Sequence, residues 1–290
     1  MKTTGVTGLT LSKLTKSDVS GLIKLSSSVG WDYDQNEINT VLASGEIYGH
    51  KNDYGEIVSS AAIVPYENNL ASIGMVIVHQ TYRGFGLAKE VTKRCIDSVS
   101  TNTKIMLIST EEGKPLYETL GFKSINRVHK YLSNTCRPIE LSVKQNIIIE
   151  EYRNQDFEEL VQLDSNAFGG CRRTLLVNRI KQSNRCLIAR NRNREIIGFG
   201  LSIMGSAHLL IGPIVAINAS IATQIIHELT QHHTGKLRID VPGDMNVEIA
   251  DFLMKIGFEE VNQPPIMMRI ATHLPKRNNQ LYAISAQMFG

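Results

Sequence analysis

The chain has few of the features that mark metal, disulfide or polyanion chemistry. Its four cysteines, Cys95, Cys136, Cys171 and Cys186, include no Cys-x-x-Cys pair. That scatter fits reduced intracellular thiols and argues against a zinc site or a cross-linked scaffold. The net charge is only 31 − 28 = +3, too small by itself to imply nucleic acid or an anionic surface as partner. No basic leader with a following apolar run opens the sequence, so a cytoplasmic protein is expected. Long hydrophobic runs are almost missing as well. Residues 196–217 carry no formal charge, but Gly198, Gly200, Gly205, Gly212 and Pro213 interrupt them, and Gly205-Ser206-Ala207 divides them into two strand-length pieces. Two buried strands are expected there, with no membrane span.

What is present is an ordinary globular composition, 42% apolar and 20% charged, over 290 residues. That length suits two domains of about 100–200 residues each. The first half reads as helices near 18–27 and 35–43, then a meander of strands near 46–51, 56–65 and 70–79. Asn52-Asp53-Tyr54-Gly55 and Glu67-Asn68-Asn69 mark the turns. A loop and a helix reach about residue 99, followed by a strand at 104–108, a short helix near 115–120 and a strand at 122–132. This order predicts an α+β domain with a mostly antiparallel sheet. A linker at 136–144 separates residues 1–135 from 145–290, where the pattern restarts. Sliding the chain by 136 residues places Leu120-Gly121-Phe122 on Ile256-Gly257-Phe258, so the halves read as two copies of one fold.

The most constrained segment is 76–94. An apolar strand, Val76-Ile77-Val78, runs through a short glycine-containing loop directly into an amphipathic helix. Such a junction gathers unpaired backbone N–H groups at the positive end of a helix dipole, which suits a phosphate. Gly84 and Gly86 let the main chain approach closely, and Ala88 keeps the surface open.

The run Arg83-Gly84-Phe85-Gly86-Leu87-Ala88 resembles the acetyl-CoA motif of the GNAT N-acetyltransferases, Arg/Gln-x-x-Gly-x-Gly/Ala, with Arg83, Gly86 and Ala88 at its core positions. Leu116-Tyr117-Glu118-Thr119-Leu120-Gly121-Phe122 is similar to the family's second motif. The resemblance covers most of residues 7–132. It implies tandem GNAT folds, each a mixed, mostly antiparallel sheet flanked by helices, and acetyl transfer from acetyl-CoA to a primary amine by direct attack. It further implies that Val76, Ile77 and Val78 splay from the neighbouring strand to pair with the pantetheine arm. By family position, Tyr117 is the candidate donor of a proton to the departing thiolate; the alternative is a tyrosine that packs its short helix on the sheet. The carboxylate that many relatives carry on the fourth strand has no counterpart in 70–79. His79, Glu67 and a water chain are the remaining routes for a base, and none is assigned.

Trp31 and Tyr33, in a loop with Asp32 and Asp34, are candidate acceptor-binding residues, since an aromatic wall with negative charge suits a cationic amine. The other reading has them anchor the loop while Asp34 caps the next helix. In the second copy, Ala219, Ala222 and Gln224 replace Arg83, Gly86 and Ala88, and Leu253 replaces Tyr117. A degenerate copy without a pyrophosphate loop predicts one CoA per chain. Residues 171–194 hold eight basic residues and no acid. A neutralised surface is expected there, because no aromatics interleave with the charges as in a nucleic-acid site. His227, His232 and His233 are expected on a helix surface, with no metal. A small-molecule amine is the expected partner, and homodimerisation is left open. The rival reading is a non-catalytic acyl-CoA sensor whose basic second domain contacts a macromolecule.

Overall fold

The structure is a computed structural model that describes residues 8–137, 139, 147–243 and 247–290. Most of the expected 136–144 linker lies outside the described residues. A 3-10 turn at Lys16–Asp18 leads into α1 (Val19–Ser27), which turns Val19, Leu22 and Leu25 inward at helical spacing. The second helix, α2 (Gln35–Ser44), begins where the Asp34 carboxylate accepts from the Glu37 N–H at 2.8 Å, so Asp34 acts as the expected cap. Ile38 and Val41 of α2 are fully buried, each contributing about 1.5–3 kcal/mol relative to exposure. The strands of the first half are β1 (Thr10–Leu14), β2 (Glu46–Lys51), β3 (Ile57–Tyr66), β4 (Leu70–Val78), β5 (Lys104–Ile108) and β6 (Lys123–Ser133), with α3 (Leu87–Asp97) and α4 (Lys114–Thr119) between them. The sequence reading lacked β1, a half-exposed edge strand whose Lys13 and Ser12 dilute the apolar signal.

The second half repeats this order: β7 (Ile148–Glu151), α5 (Phe157–Phe168), α6 (Arg173–Gln182), β8 (Arg185–Arg190), β9 (Ile196–Met204), β10 (Leu209–Ala216), α7 (Ala219–Thr230), β11 (Leu237–Pro242) and α8 (Val247–Lys255). After α8 come β12 (Glu259–Asn262), β13 (Pro265–Arg269) and β14 (Leu281–Ala283). The uncharged stretch 196–217 forms the β9–β10 hairpin, and no described helix is long and apolar enough to cross a membrane.

All fourteen described strands join one mixed sheet. Only β4–β5 and β10–β11 pair in parallel; the remaining ladders are antiparallel, as the resemblance implied. Helices α3, α4, α7 and α8 cover one face, while α1, α2, α5, α6 and the segment 284–290 cover the other. The halves meet by a reciprocal exchange. Along one edge of β6 run β12 and β13, with Glu259 opposite Leu132 and Pro265 opposite Arg127. At the centre the Val128 N–H donates to the Pro264 carbonyl at 3.0 Å. These two positions are equivalent under the 136-residue offset (128 + 136 = 264), so the chain pairs with its own repeat about a pseudo-two-fold axis. As a result β13 lies against β5 and the far half of β6 lies against β11. Each half of the sheet therefore contains a strand from the other half of the chain.

Candidate active site

Strand β4 positions the site by changing its pairing partway along. Leu70–Ile73 pair with Lys104–Leu107 of β5, and the parallel ladder then stops. Against β3 the register shifts: Ser60 is opposite Ile77 and Ala62 is opposite Gly74, so Met75 and Val76 together face Ala61. This bulge places Met75 at φ 51°, an unusual angle for a large side chain. The Ser60 hydroxyl donates to the Met75 carbonyl at 2.8 Å and holds the bulge in place. From Gly74 to Val78 the edge of β4 facing β5 has no ladder partner among the described residues. The β4–β5 ladder therefore ends before Val76, Ile77 and Val78, the residues at which the resemblance implies a splay.

Beyond β4, Gln80–Tyr82 make one 3-10 turn, with His79 as its cap. Gly84 and Gly86 sit at φ 84° and 81°, and a Cβ at either would meet no atom within 4 Å. Their conformation requires glycine, and the space above them is open. The N–H groups of Gly84, Phe85, Gly86, Leu87 and Ala88 have no acceptor among the described residues. Five backbone donors are thus left without an acceptor at the start of α3, the kind of helix N-terminus that suits an anion. Arg83 to Gly86 are exposed and Leu87 is buried as the first anchor of α3, while the Arg83 Nε reaches back to the Val78 carbonyl at 3.5 Å.

Tyr117 lies on α4, 8% exposed, edge-on to Phe122 with 6.0 Å between ring centroids. It shares a cluster with Ile73 of β4, Leu107 of β5, and Val91 and Cys95 of α3. Its hydroxyl makes no hydrogen bond to a described residue, and burial holds the phenol protonated well above its ordinary pKa near 10. The other base candidates separate. His79 stands at the end of β4, whereas Glu67 lies beyond the opposite end, in the β3–β4 turn, where its N–H donates to the Cys171 carbonyl. A second polar chain, His50 between Ser59 (2.7 Å) and Glu90 (3.1 Å), has the look of a nucleophile triad. Ser59 is fully buried, so the chain ties β2 and β3 to α3 and offers no nucleophile to solvent.

On the opposite face, the Trp31–Tyr33 loop spans the two halves. The rings lie 6.2 Å apart; Trp31 is 38% exposed, while Tyr33 packs against the cluster of Met75, Ile77 and Met288 and burial pushes its pKa up. The Ser206 hydroxyl donates to the Asp32 carbonyl at 2.8 Å. Three groups here carried no sequence signal: Met288, which lies against Gly74, and the charged residues Lys130 and Arg238 on neighbouring strands. The 284–290 segment carries Met288 to Gly74, and the β6–β11 pairing places Lys130 opposite Asp240, two residues from Arg238.

The second copy closes both openings. Asn218 caps α7 directly after β10, accepting from the Ile221 N–H at 3.0 Å, and Ala219, Ala222 and Gln224 are buried. The gap between β10 and β11 is filled by β14, which pairs with β10 at Ile214 and Val215, while the Ile284 N–H donates to the Asp240 carbonyl at 2.9 Å. The chain's own strand occupies the slot that stays open beside β4. In the basic stretch, Arg172, Arg173, Arg179, Arg185 and Arg190 are ion-paired with Asp164, Glu158, Glu37, Glu151 and Glu150. Among the described residues no group of three His, Cys, Asp or Glu converges as a metal set.

A doubled acyltransferase fold with one open β4–β5 cleft defines the class of protein. Two models of the acetyltransferase (GNAT) domain match, over residues 32–135 and 160–283. The chain is 37% identical over 281 residues to the uncharacterized N-acetyltransferase YitH of Bacillus subtilis (strain 168), covering 97% of this chain and 98% of that protein. It belongs to the GNAT N-acetyltransferase family. Solved structures agree in fold: one from Pyrococcus horikoshii, described as a candidate acetyltransferase (TM-score 0.79, 21% identity, 100% and 99% of the two chains), and a GCN5-related N-acetyltransferase from Sphaerobacter thermophilus (TM-score 0.63, 13% identity, 93% and 98%). A tandem GNAT protein of the clavulanic acid biosynthesis pathway aligns over 90% of this chain and 98% of its own, with TM-score 0.65 and 12% identity.

Proposed function

We propose that the protein transfers an acetyl group from acetyl-CoA to the primary amine of a small acceptor by direct attack, at a single site in the first half of the chain. The observation that carries this reading is the junction of two open backbone surfaces: the unpaired edge of Gly74–Val78 and the five free N–H groups of 84–88. One matches the amide-bearing arm of CoA and the other its diphosphate, in the order the cosubstrate requires. The bound thioester supplies an activated acyl group. The chain's own part is to hold the diphosphate at Gly84–Ala88, to orient the arm along β4, and to offer a backbone N–H of the bulge to the acyl oxygen.

Tyr117 is assigned the proton for the leaving sulfur. The desolvation that keeps its phenol protonated also raises the basicity of a thiolate formed beside it, so the two remain matched. No carboxylate on β4 serves as base, and a water-relayed proton, or an acceptor that arrives neutral, fits the site as built. Residues 145–290 wall the acceptor side with β10, β11 and the 284–290 segment. The sensing alternative loses support because the basic stretch is largely ion-paired within the chain. Thiol release from acetyl-CoA across amino acids, polyamines, amino sugars and peptides tests the proposal; a chain that binds acetyl-CoA but is accelerated by no amine refutes it.

A further inference from the structure

We propose that the acceptor carries a carboxylate as well as its amine, and that Lys130, backed by Arg238, receives that carboxylate at the seam between the two halves. The inference rests on the transferase reading above and specifies its substrate class. Lys130 on β6 lies directly opposite Asp240 on β11, and Arg238 precedes Asp240 by two residues, so all three share one face of the sheet. Asp240 is fully buried and fully engaged. Arg238 donates to one of its oxygens from Nε and Nη2 at 2.9 and 2.8 Å, and the Gln287 amide donates to the other at 3.1 Å. Lys130 is left over: its ammonium makes no hydrogen bond or ion pair with a described residue.

That position is costly for a cation. Lys130 is half-buried, and burial with the adjacent guanidinium pulls its pKa down, against the opposing pull of Asp240 and Asp32. A cation removed from water beside a second cation is stabilised by an anion, and the chain supplies none in contact. From the other half, Asp32 brings one carboxylate to the same space, 3.9 Å from His208 Nδ1; burial holds His208 toward its neutral form. With Arg238 and Asp240 closed on each other, Lys130 and Asp32 act on each other across the seam, and Lys236 adds a further positive charge near His208. This charge pair complements a small zwitterion.

Packing links the seam to the β4 bulge. Leu210 pairs in register with Arg238, is only partly buried, and belongs to the same cluster as Tyr33, Met75, Ile77 and Met288. An acceptor with its carboxylate at Lys130 therefore lies along a wall that ends at the β4 bulge, where the amine is needed.

The test compares amino acids with their decarboxylated counterparts: lysine with cadaverine, ornithine with putrescine, tyrosine with tyramine. The carboxylate-bearing member is expected to show the higher kcat/KM by about tenfold or more. Lys130→Met should erase that preference through KM and leave heat protection by acetyl-CoA unchanged, and Lys130→Arg should restore it. Equal kcat/KM within the pairs, or a preference that survives Lys130→Met, overturns the proposal. If no amine is turned over, the transferase reading fails separately; heat protection by the same amino acids with CoA present then decides. A shift abolished by Lys130→Met upholds the carboxylate site, and no shift in the wild type refutes it.

Discussion

Gly86→Glu tests the diphosphate site most directly, with Gly86→Ala as its control. Both replacements place a side chain at φ 81°, a left-handed conformation that costs about 1–2 kcal/mol without glycine. Neither meets a steric clash, because a Cβ there has no neighbour within 4 Å, so both variants should fold with a similar modest loss of stability. Only the glutamate adds charge. At roughly 5 Å from one phosphate charge and an effective dielectric of about 20, repulsion is about 3 kcal/mol, near a hundredfold in affinity. At acetyl-CoA a hundredfold above its Kd, linkage stabilises the wild type by about 2.7 kcal/mol; a hundredfold weaker Kd reduces this to about 0.4 kcal/mol. For a chain approaching this size, the difference is roughly 5–10 °C of heat protection against about 1 °C. Thermal unfolding with and without acetyl-CoA reads both numbers. If Gly86→Glu retains the wild-type shift, the diphosphate does not bind at this loop.

Tyr117→Phe should lower kcat about 10²–10⁴-fold while stability changes little, since the hydroxyl makes no hydrogen bond to a described residue; turnover within a few-fold of wild type removes Tyr117 from the chemistry. With its pKa raised, Tyr117 stays protonated above its ordinary value near 10, so stopped-flow rates should show no loss from phenolate formation as pH rises to 10, and a falling limb below that pH contradicts the assignment. Isothermal titration should give one acetyl-CoA per chain, because β14 fills the second cleft; a stoichiometry of two refutes that reading of the second copy. Arg172→Ala leaves Asp164 buried without its bidentate partner, bonded now at 2.8 and 2.9 Å, and should cost about 3–5 kcal/mol in urea unfolding, whereas a loss below 1 kcal/mol would mean the pair contributes nothing net.

Local pattern made much of the fold legible. Gly84, Gly86 and the strand-to-helix junction around them are short-range features, so the φ values and free N–H groups follow from adjacent residues. Periodicity likewise marked α2, α3 and the β2–β3–β4 meander close to their observed bounds. It failed at β1, where a single buried residue, Leu14, leaves no alternation to read, and at 281–283, a three-residue strand too short to carry a period. The bulge at Met75 was not legible, because a positive φ at methionine is imposed by the Ser60 contact and the β3 register. Glu67 and His79 could be told apart only once β4 had a direction and a cleft at one end.

The primary structure alone determined that there are two copies, that one copy carries the Gly84–Gly86 loop between strand and helix and the other does not, and that Tyr117 stands at the second motif. These are properties of contiguous residues and of a fixed offset along the chain. The tertiary structure decided what completes the site. Exchange of β6 and β13 about the Val128–Pro264 centre brings Lys130 beside Asp240, and Leu281–Ala283 closes the second cleft by strand addition. Both depend on contacts between residues more than sixty positions apart, which no local pattern encodes.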